Sequence, residues 1–356
     1  MYPRLLINLD KIKTNVKANK KLTDKGKLGL GIVTKSFTAD QKIVKAIAEE
    51  GVDFLADSRI QNLKSYSDID VMRLLLRLPQ LCEIEEVVKY ADVSLNSEIK
   101  TIRALSEEAL KQNKTHKVVL MVDLGDLREG FFFENEEEIL AAAKEVNDLK
   151  GTELYGIGVN LTCYGAVIPT KENLSKLIEI ASKIEKSLNI KLKMISGGNS
   201  SSLYLIDKGE MPEGINSLRV GEAFILGNET AYGAKVEGTV DDAVILQAQL
   251  IEVKEKPTLP IGEIGKDAFG QVPYYEDKGL AKRGILAVGK QDLDTDSIFP
   301  IDAQVEVFGA SSDHTIVDLT HADKDYQVGD IIEFKLGYGS LLKLFTSSQY
   351  IDREYI

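Results

Sequence analysis

Between Asp10 and about Phe224, short β-branched or apolar runs alternate with longer stretches whose apolar residues recur at helical spacing. That rhythm predicts repeated βα units around a parallel sheet. Eight candidate strands follow: "LGLGIVT" from Leu28, "DFLAD" from Asp53, "VMRLLLR" from Val71, "ADVSLN" from Ala91, "KVVLMVD" from Lys117, "ELYGIGVNL" from Glu153, "LKMISGG" from Leu192 and "INSLRVG" from Ile215. Between the sixth and seventh, Leu174, Leu177, Ile178, Ala181, Ile184 and Leu188 line one face of a predicted helix. Eight such units favour a closed (β/α)8 barrel over an open doubly wound sheet.

After about Gly233 the texture changes. The runs "AVILQAQLIEVKEK", "RGILAVGK", "QVEVFGA", "HTIVDLT" and "DIIEFKLG" are strand-like, separated by Gly, Pro and Asp turns, with no comparable helical periodicity. The predicted division is therefore a barrel over residues 1–233 and a mainly β domain over 234–356. The opening "RLLINLD", about residues 3–9, is strand-like and precedes the first helix, so it can pair with the distant β domain instead of the barrel.

Charge narrows the function classes. A formal net charge of −12 argues against nucleic acid, whose phosphates are bound by clustered Lys and Arg, but leaves room for a basic pocket that holds a small metabolite. Two cysteines, Cys82 and Cys163, make no disulfide framework and fit a reducing cytoplasm. The three histidines, His116, His314 and His321, have no metal-site spacing with them, and no apolar run reaches the length of a membrane span.

In a (β/α)8 barrel the chemistry lies at the C-terminal ends of the strands. Lys35 ends the first. Held by apolar walls it would offer a neutral amine to an aldehyde as a Schiff base; as an ordinary loop lysine it would reach for solvent. The seventh strand ends in "SGGNSSS", which is either a plain turn or a phosphate cup built from Gly198, Asn199 and Ser200 at a helix N-terminus. At the eighth, Arg219 either pairs with a carboxylate or donates to a ring nitrogen, and Gly221 adds a backbone donor. The fifth places Asp123, Asp126, Arg128 and Glu129 together, so Arg128 is a carboxylate binder or part of an ion-pair network. The sixth clusters Asn160, Thr162, Cys163 and Tyr164, where Cys163 is read as a buried thiol.

Together these residues resemble the alanine-racemase-like, fold-type III family of pyridoxal-phosphate enzymes, a barrel followed by a β domain, over nearly the whole chain. The lysine after the first strand, which carries the cofactor in that family, is matched by Lys35 in "VTKS"; the Asn-Ser pair that holds the phosphate is matched by Asn199 and Ser200; Arg-x-Gly is matched by Arg219 and Gly221, with the arginine donating to the pyridine nitrogen. Asp-x-Gly-x-x-Arg-x-Gly appears as Asp123, Gly125, Arg128 and Gly130. The stretches "ADSRIQNL", "GIGVNLTCYGAVIP", "SGGNSSSLYLIDKGE" and "PIGEIGKDAFG" resemble members acting on a basic amino acid.

The resemblance implies an amino-acid racemase with ornithine as expected substrate and lysine or alanine as alternatives. It implies a homodimer with shared active sites, and adds Asn160 and Tyr338 to the cofactor contacts. Two departures stand out: Asn160 occupies the place of a histidine that stacks on the cofactor ring, and Phe269-Gly270 stands where the family has Tyr-Gly carrying the second acid/base. Tyr274 or Tyr275 is the first substitute for that base, then His314 and Cys163, while Ser312, Asp313 and Asp267 are candidates for the substrate's distal amine and Arg128 for its α-carboxylate. A non-catalytic carrier of the cofactor resembles the barrel alone, so the β domain argues against it. An aldolase or lyase of this fold would need metal ligands, and "SSDH" with His321 is a thin set.

Overall fold

The computed structural model describes residues 1–356. It divides into two compact units: Lys11–Val240, and Met1–Asp10 together with Asp241–Ile356. The first is a closed parallel barrel of Gly29–Val33, Phe54–Asp57, Met72–Leu75, Val93–Asn96, His116–Asp123, Thr152–Gly158, Met194–Asn199 and Ser217–Val220, here called barrel strands one to eight. The eighth closes on the first with Arg219 opposite Gly31 and Val220 opposite Ile32.

The barrel interior is apolar. Val33, Phe54, Ala56, Leu74, Val93, Leu95, Val119, Met121 and Met194 pack there as one cluster. Gly31 makes this possible, because a Cβ on it would stand 2.0 Å from the Phe54 ring. The helix expected between strands six and seven is Lys171–Leu188. Thr170 and Asn173 close a reciprocal cap at its start, and Asn189 ends it in the left-handed conformation. It buries Leu174, Leu177, Ile180, Ala181 and Ile184, so Ile180 replaces the expected Ile178 on the core face.

Two loops at the C-terminal mouth are fixed by a single carboxylate. Strand six ends at Gly158, before the expected Leu161, and the chain bends away into a loop. Asp126, fully buried, accepts the backbone N–H of Thr162 at 3.1 Å, Tyr164 at 3.0 Å and Val167 at 3.2 Å. This ties the loop after strand six to the loop after strand five. Leu127, Thr162 and Ala166 adopt positive φ of 56°, 61° and 54°, a region non-glycine residues enter only when their surroundings hold them there.

In the second unit, Val244–Pro257 pairs antiparallel with Leu280–Leu286 and with Ile331–Leu336. Arg4–Ile7 also pairs with it, and lies parallel to Asp352–Tyr355. The sequence pattern missed one helix here, Tyr338–Thr346, which is too short for its periodicity to register. No helix of the structure is long and apolar enough to cross a membrane.

Two tests follow. His116 is buried with a ring nitrogen 2.8 Å from Ser94 Oγ, and burial pulls its pKa down to about 4. The unfolded chain takes up this proton near pH 6.5, so the stability held by neutral His116 is present above that pH. It is lost as pH falls toward about 4, by about 3 kcal/mol. Thermal melts of His116→Gln across this window should show a smaller acid-induced loss than the native chain. Asp126→Ala leaves three N–H groups without their acceptor, so it should destabilise the barrel by about 2 kcal/mol or more. Hydrogen exchange should quicken first at Thr162, Tyr164 and Val167.

Candidate active site

Lys35 opens a 3-10 turn, Lys35–Phe37, directly after the first barrel strand. The turn is anchored from behind: Ser36 and Phe37 are buried, and the Phe37 ring meets Phe224 edge-on with centroids 5.9 Å apart. Phe224 belongs to the helix Glu222–Leu226 that follows the eighth strand. The lysine side chain is exposed and enters no ion pair. Its surroundings therefore differ from the apolar walls considered from sequence.

The "SGGNSSS" segment forms a cup between the ends of strands seven and eight. Gly198 at φ 110° turns the chain, and Asn199 Oδ1 accepts the N–H of Ser201 at 2.9 Å. Ser200 Oγ accepts the N–H groups of Gly221 at 3.1 Å and Ala223 at 3.2 Å, which leaves its own proton to donate. Ser201 Oγ is buried without a partner. A buried hydroxyl lacking an acceptor, beside a second hydroxyl with a proton to give, fits a group carrying acceptor oxygens such as phosphate. Glu222, just beyond Gly221, has its carboxyl raised by burial, which favours the neutral form that tolerates an anion nearby.

Arg219 is buried at 3% exposure, and its guanidinium donates to Ser196 Oγ and to Val159 O. It has no carboxylate partner, so the ion-pair reading does not hold. Burial lowers its pKa to about 10, opposed by the more distant Glu129, and the group stays charged at neutral pH. A buried cation hydrogen-bonded only to neutral groups is prepared for an acceptor from outside the protein.

Arg128 forms a bidentate pair with Glu129, which raises its pKa further. The Asn160 amide lies between two donors, 3.2 Å from Asn199 Nδ2 and 2.9 Å from Arg128 Nη2, and its one oxygen can serve either. Cys163 is exposed, with Sγ 3.6 Å from Asn199 Nδ2 and within hydrogen-bonding reach of Arg128. The expected buried thiol is thus corrected: the Asp126 clamp holds its loop at the mouth instead of in the core.

Lys35, Arg128, Asn160, Gly198, Asn199, Ser200, Arg219 and Gly221 all belong to the barrel unit and its strand ends. The remaining candidates belong to the β unit. Tyr274, 91% exposed, and Tyr275 sit in the long connection between Val244–Pro257 and Leu280–Leu286. Asp267 caps its own turn in that connection, accepting from the N–H of Phe269 and of Gln271 at 2.9 Å each. Asp313 is engaged within its hairpin by His314 Nδ1 at 2.9 Å and Ser312 Oγ at 3.3 Å, and His314 holds its carboxyl below the usual range. Tyr338 is the first residue of the short helix. Sequence reading missed Thr34, Asp57 and Tyr66, a buried polar group next to Lys35, although Asp57 closes "DFLAD" at a strand end as plainly as Lys35 closes its own.

Comparison with known proteins gives the family and the fold. The family described as alanine racemase, N-terminal domain, matches residues 7–229. The chain is 54% identical over 356 residues to an ornithine racemase of Acetoanaerobium sticklandii, covering 100% of both. It is 37% identical over 357 residues to a lysine racemase of Thermotoga maritima, covering 100% of this chain and 99% of the relative. A solved alanine racemase from Bartonella henselae with covalently bound pyridoxal phosphate shares the fold at a TM-score of 0.73 and 18% identity, over 99% of each chain. A family match across most of the barrel, and relatives aligned from end to end, leave one conclusion: the chain belongs to the alanine racemase family.

Proposed function

We propose that the protein is a pyridoxal-phosphate-dependent racemase that interconverts L- and D-ornithine. The observation that carries the reading is the shared placement of an exposed, unpaired Lys35, a cup with an orphaned serine hydroxyl, and a buried unpaired arginine at strands one, seven and eight of one barrel. Substrate identity rests on the 54% relative, with lysine second on the 37% relative.

The cofactor, when bound, supplies an aldehyde that holds the substrate amine and a ring that takes up the electron pair left when the α-proton departs. The protein does the rest. Asn199, Ser200 and Ser201 would hold the phosphate. Arg219 would donate to the ring nitrogen without surrendering its proton. Arg128 binds the α-carboxylate, and Asn160 can take up whichever donor is left over. Lys35 would move the α-proton on one face.

On the opposite face we assign Tyr274 or Tyr275, supplied by a second subunit of a homodimer. Their exposure on a long, irregular connection supports this, since such a segment can reach a neighbouring molecule. Ser312 and Asp313 are the proposed contacts for the distal amine, and Tyr338 a further cofactor contact.

Incubation with L-ornithine in deuterated water should give α-deuterium incorporation and D-ornithine, with slower turnover of lysine. Absence of exchange with ornithine, lysine and alanine would overturn the racemase reading. Borohydride reduction followed by peptide mapping should place the cofactor on Lys35, and Lys35→Ala should cut racemisation by about a thousandfold or more. Mixing inactive Lys35→Ala with an inactive Tyr275→Phe or Tyr274→Phe variant should restore activity through hybrid dimers. No recovery with either tyrosine variant would place the second base elsewhere.

A further inference from the structure

Beneath the Lys35 turn lies a polar chain that the functions assigned above leave unused. Thr34, Asp57 and Tyr66 are each at 0% exposure. Thr34 Oγ1 donates to Asp57 Oδ2 at 2.6 Å, and Tyr66 OH lies 3.3 Å from Thr34 Oγ1. The other carboxylate oxygen, Oδ1, accepts the N–H of Arg59 at 2.9 Å and Asn62 Nδ2 at 3.0 Å. The two oxygens therefore serve two elements. Oδ1 holds Arg59 and Asn62 at the start of the helix Ile60–Ser65, and Oδ2 holds the residue immediately before Lys35.

A cap alone would not require this carboxylate to be buried. Ser, Thr or Asn serve as well at a helix start, and a buried charge is costly. Every group directed at Asp57 is a donor, and with the Thr34 proton committed to Asp57, Tyr66 is left to donate to Thr34. Burial pushes the Asp57 carboxyl up, opposed by the hydrogen bonds from Thr34, Arg59 and Asn62, and burial likewise raises Tyr66, which keeps the phenol a neutral donor. The charged groups acting on the pair are Lys35, from the turn after strand one, and Arg73, from strand three; the Arg59 side chain is exposed.

We propose that Asp57 is a positioning residue for Lys35: through Thr34 it pins the start of the turn that carries the lysine. This inference rests on Lys35 being the reactive lysine of the proposed racemase.

The test uses the full-length chain. In the reconstituted enzyme, Thr34→Val should lower kcat about tenfold with KM within about twofold, and Thr34→Ser should restore it. A role confined to the start of the helix would leave the Thr34→Val and Thr34→Ser enzymes alike. Full activity in Thr34→Val overturns the proposal, as does a Thr34→Ser variant no faster than Thr34→Val. If borohydride marks a lysine other than Lys35, the functional reading fails; if it marks Lys35 and Thr34→Val keeps full kcat, only this inference fails.

Discussion

The pairing of the eighth barrel strand with the first is the contact on which the site depends. Its register sets Arg219 beside Gly31 and carries the chain on to Gly221 just as the first strand carries on to Lys35. Two segments nearly two hundred residues apart thereby become neighbours. The edge-on contact of Phe37 with Phe224 repeats the link above the strands, between the elements that leave them. A lysine turn and a serine cup built on separate loops would drift against each other. Built on two hydrogen-bonded strands, they share one frame.

Charge at the mouth is arranged by burial more than by pairing. Arg219 is deep, hydrogen-bonded to neutral groups and kept protonated despite a lowered pKa. Asp57 is deep and surrounded by donors, whereas Arg128 is partnered by Glu129 and partly open. The Arg219 guanidinium thus keeps a charge that no carboxylate within the barrel cancels by pairing. This is compatible with a chain of net charge −12, because the field is local.

Much of this was legible in the sequence, for a definite reason. Strand ends in a parallel barrel are marked by a change from β-branched residues to Lys, Asp, Asn or Gly, so Lys35, Asn199 and Arg219 announced themselves by position. Partners across strands were not legible. Thr34 and Asp57 are far apart in sequence, and neither is unusual alone. The exposure of Cys163 was misread because it follows from Asp126, whose carboxylate faces the backbone of a different loop and leaves no trace in local pattern. The helix Tyr338–Thr346 escaped because nine residues give too few turns for a period to stand out.

Gly31 and Phe54 carry a further implication. The ring occupies the space that a side chain on the first strand would need, so the two positions share a single volume inside the barrel. Neither can change freely without the other, and inheritance should treat them as one character spread over two codons. The strand that delivers Lys35 is thus protected from gradual drift by a neighbour two dozen residues away, which performs no chemistry itself.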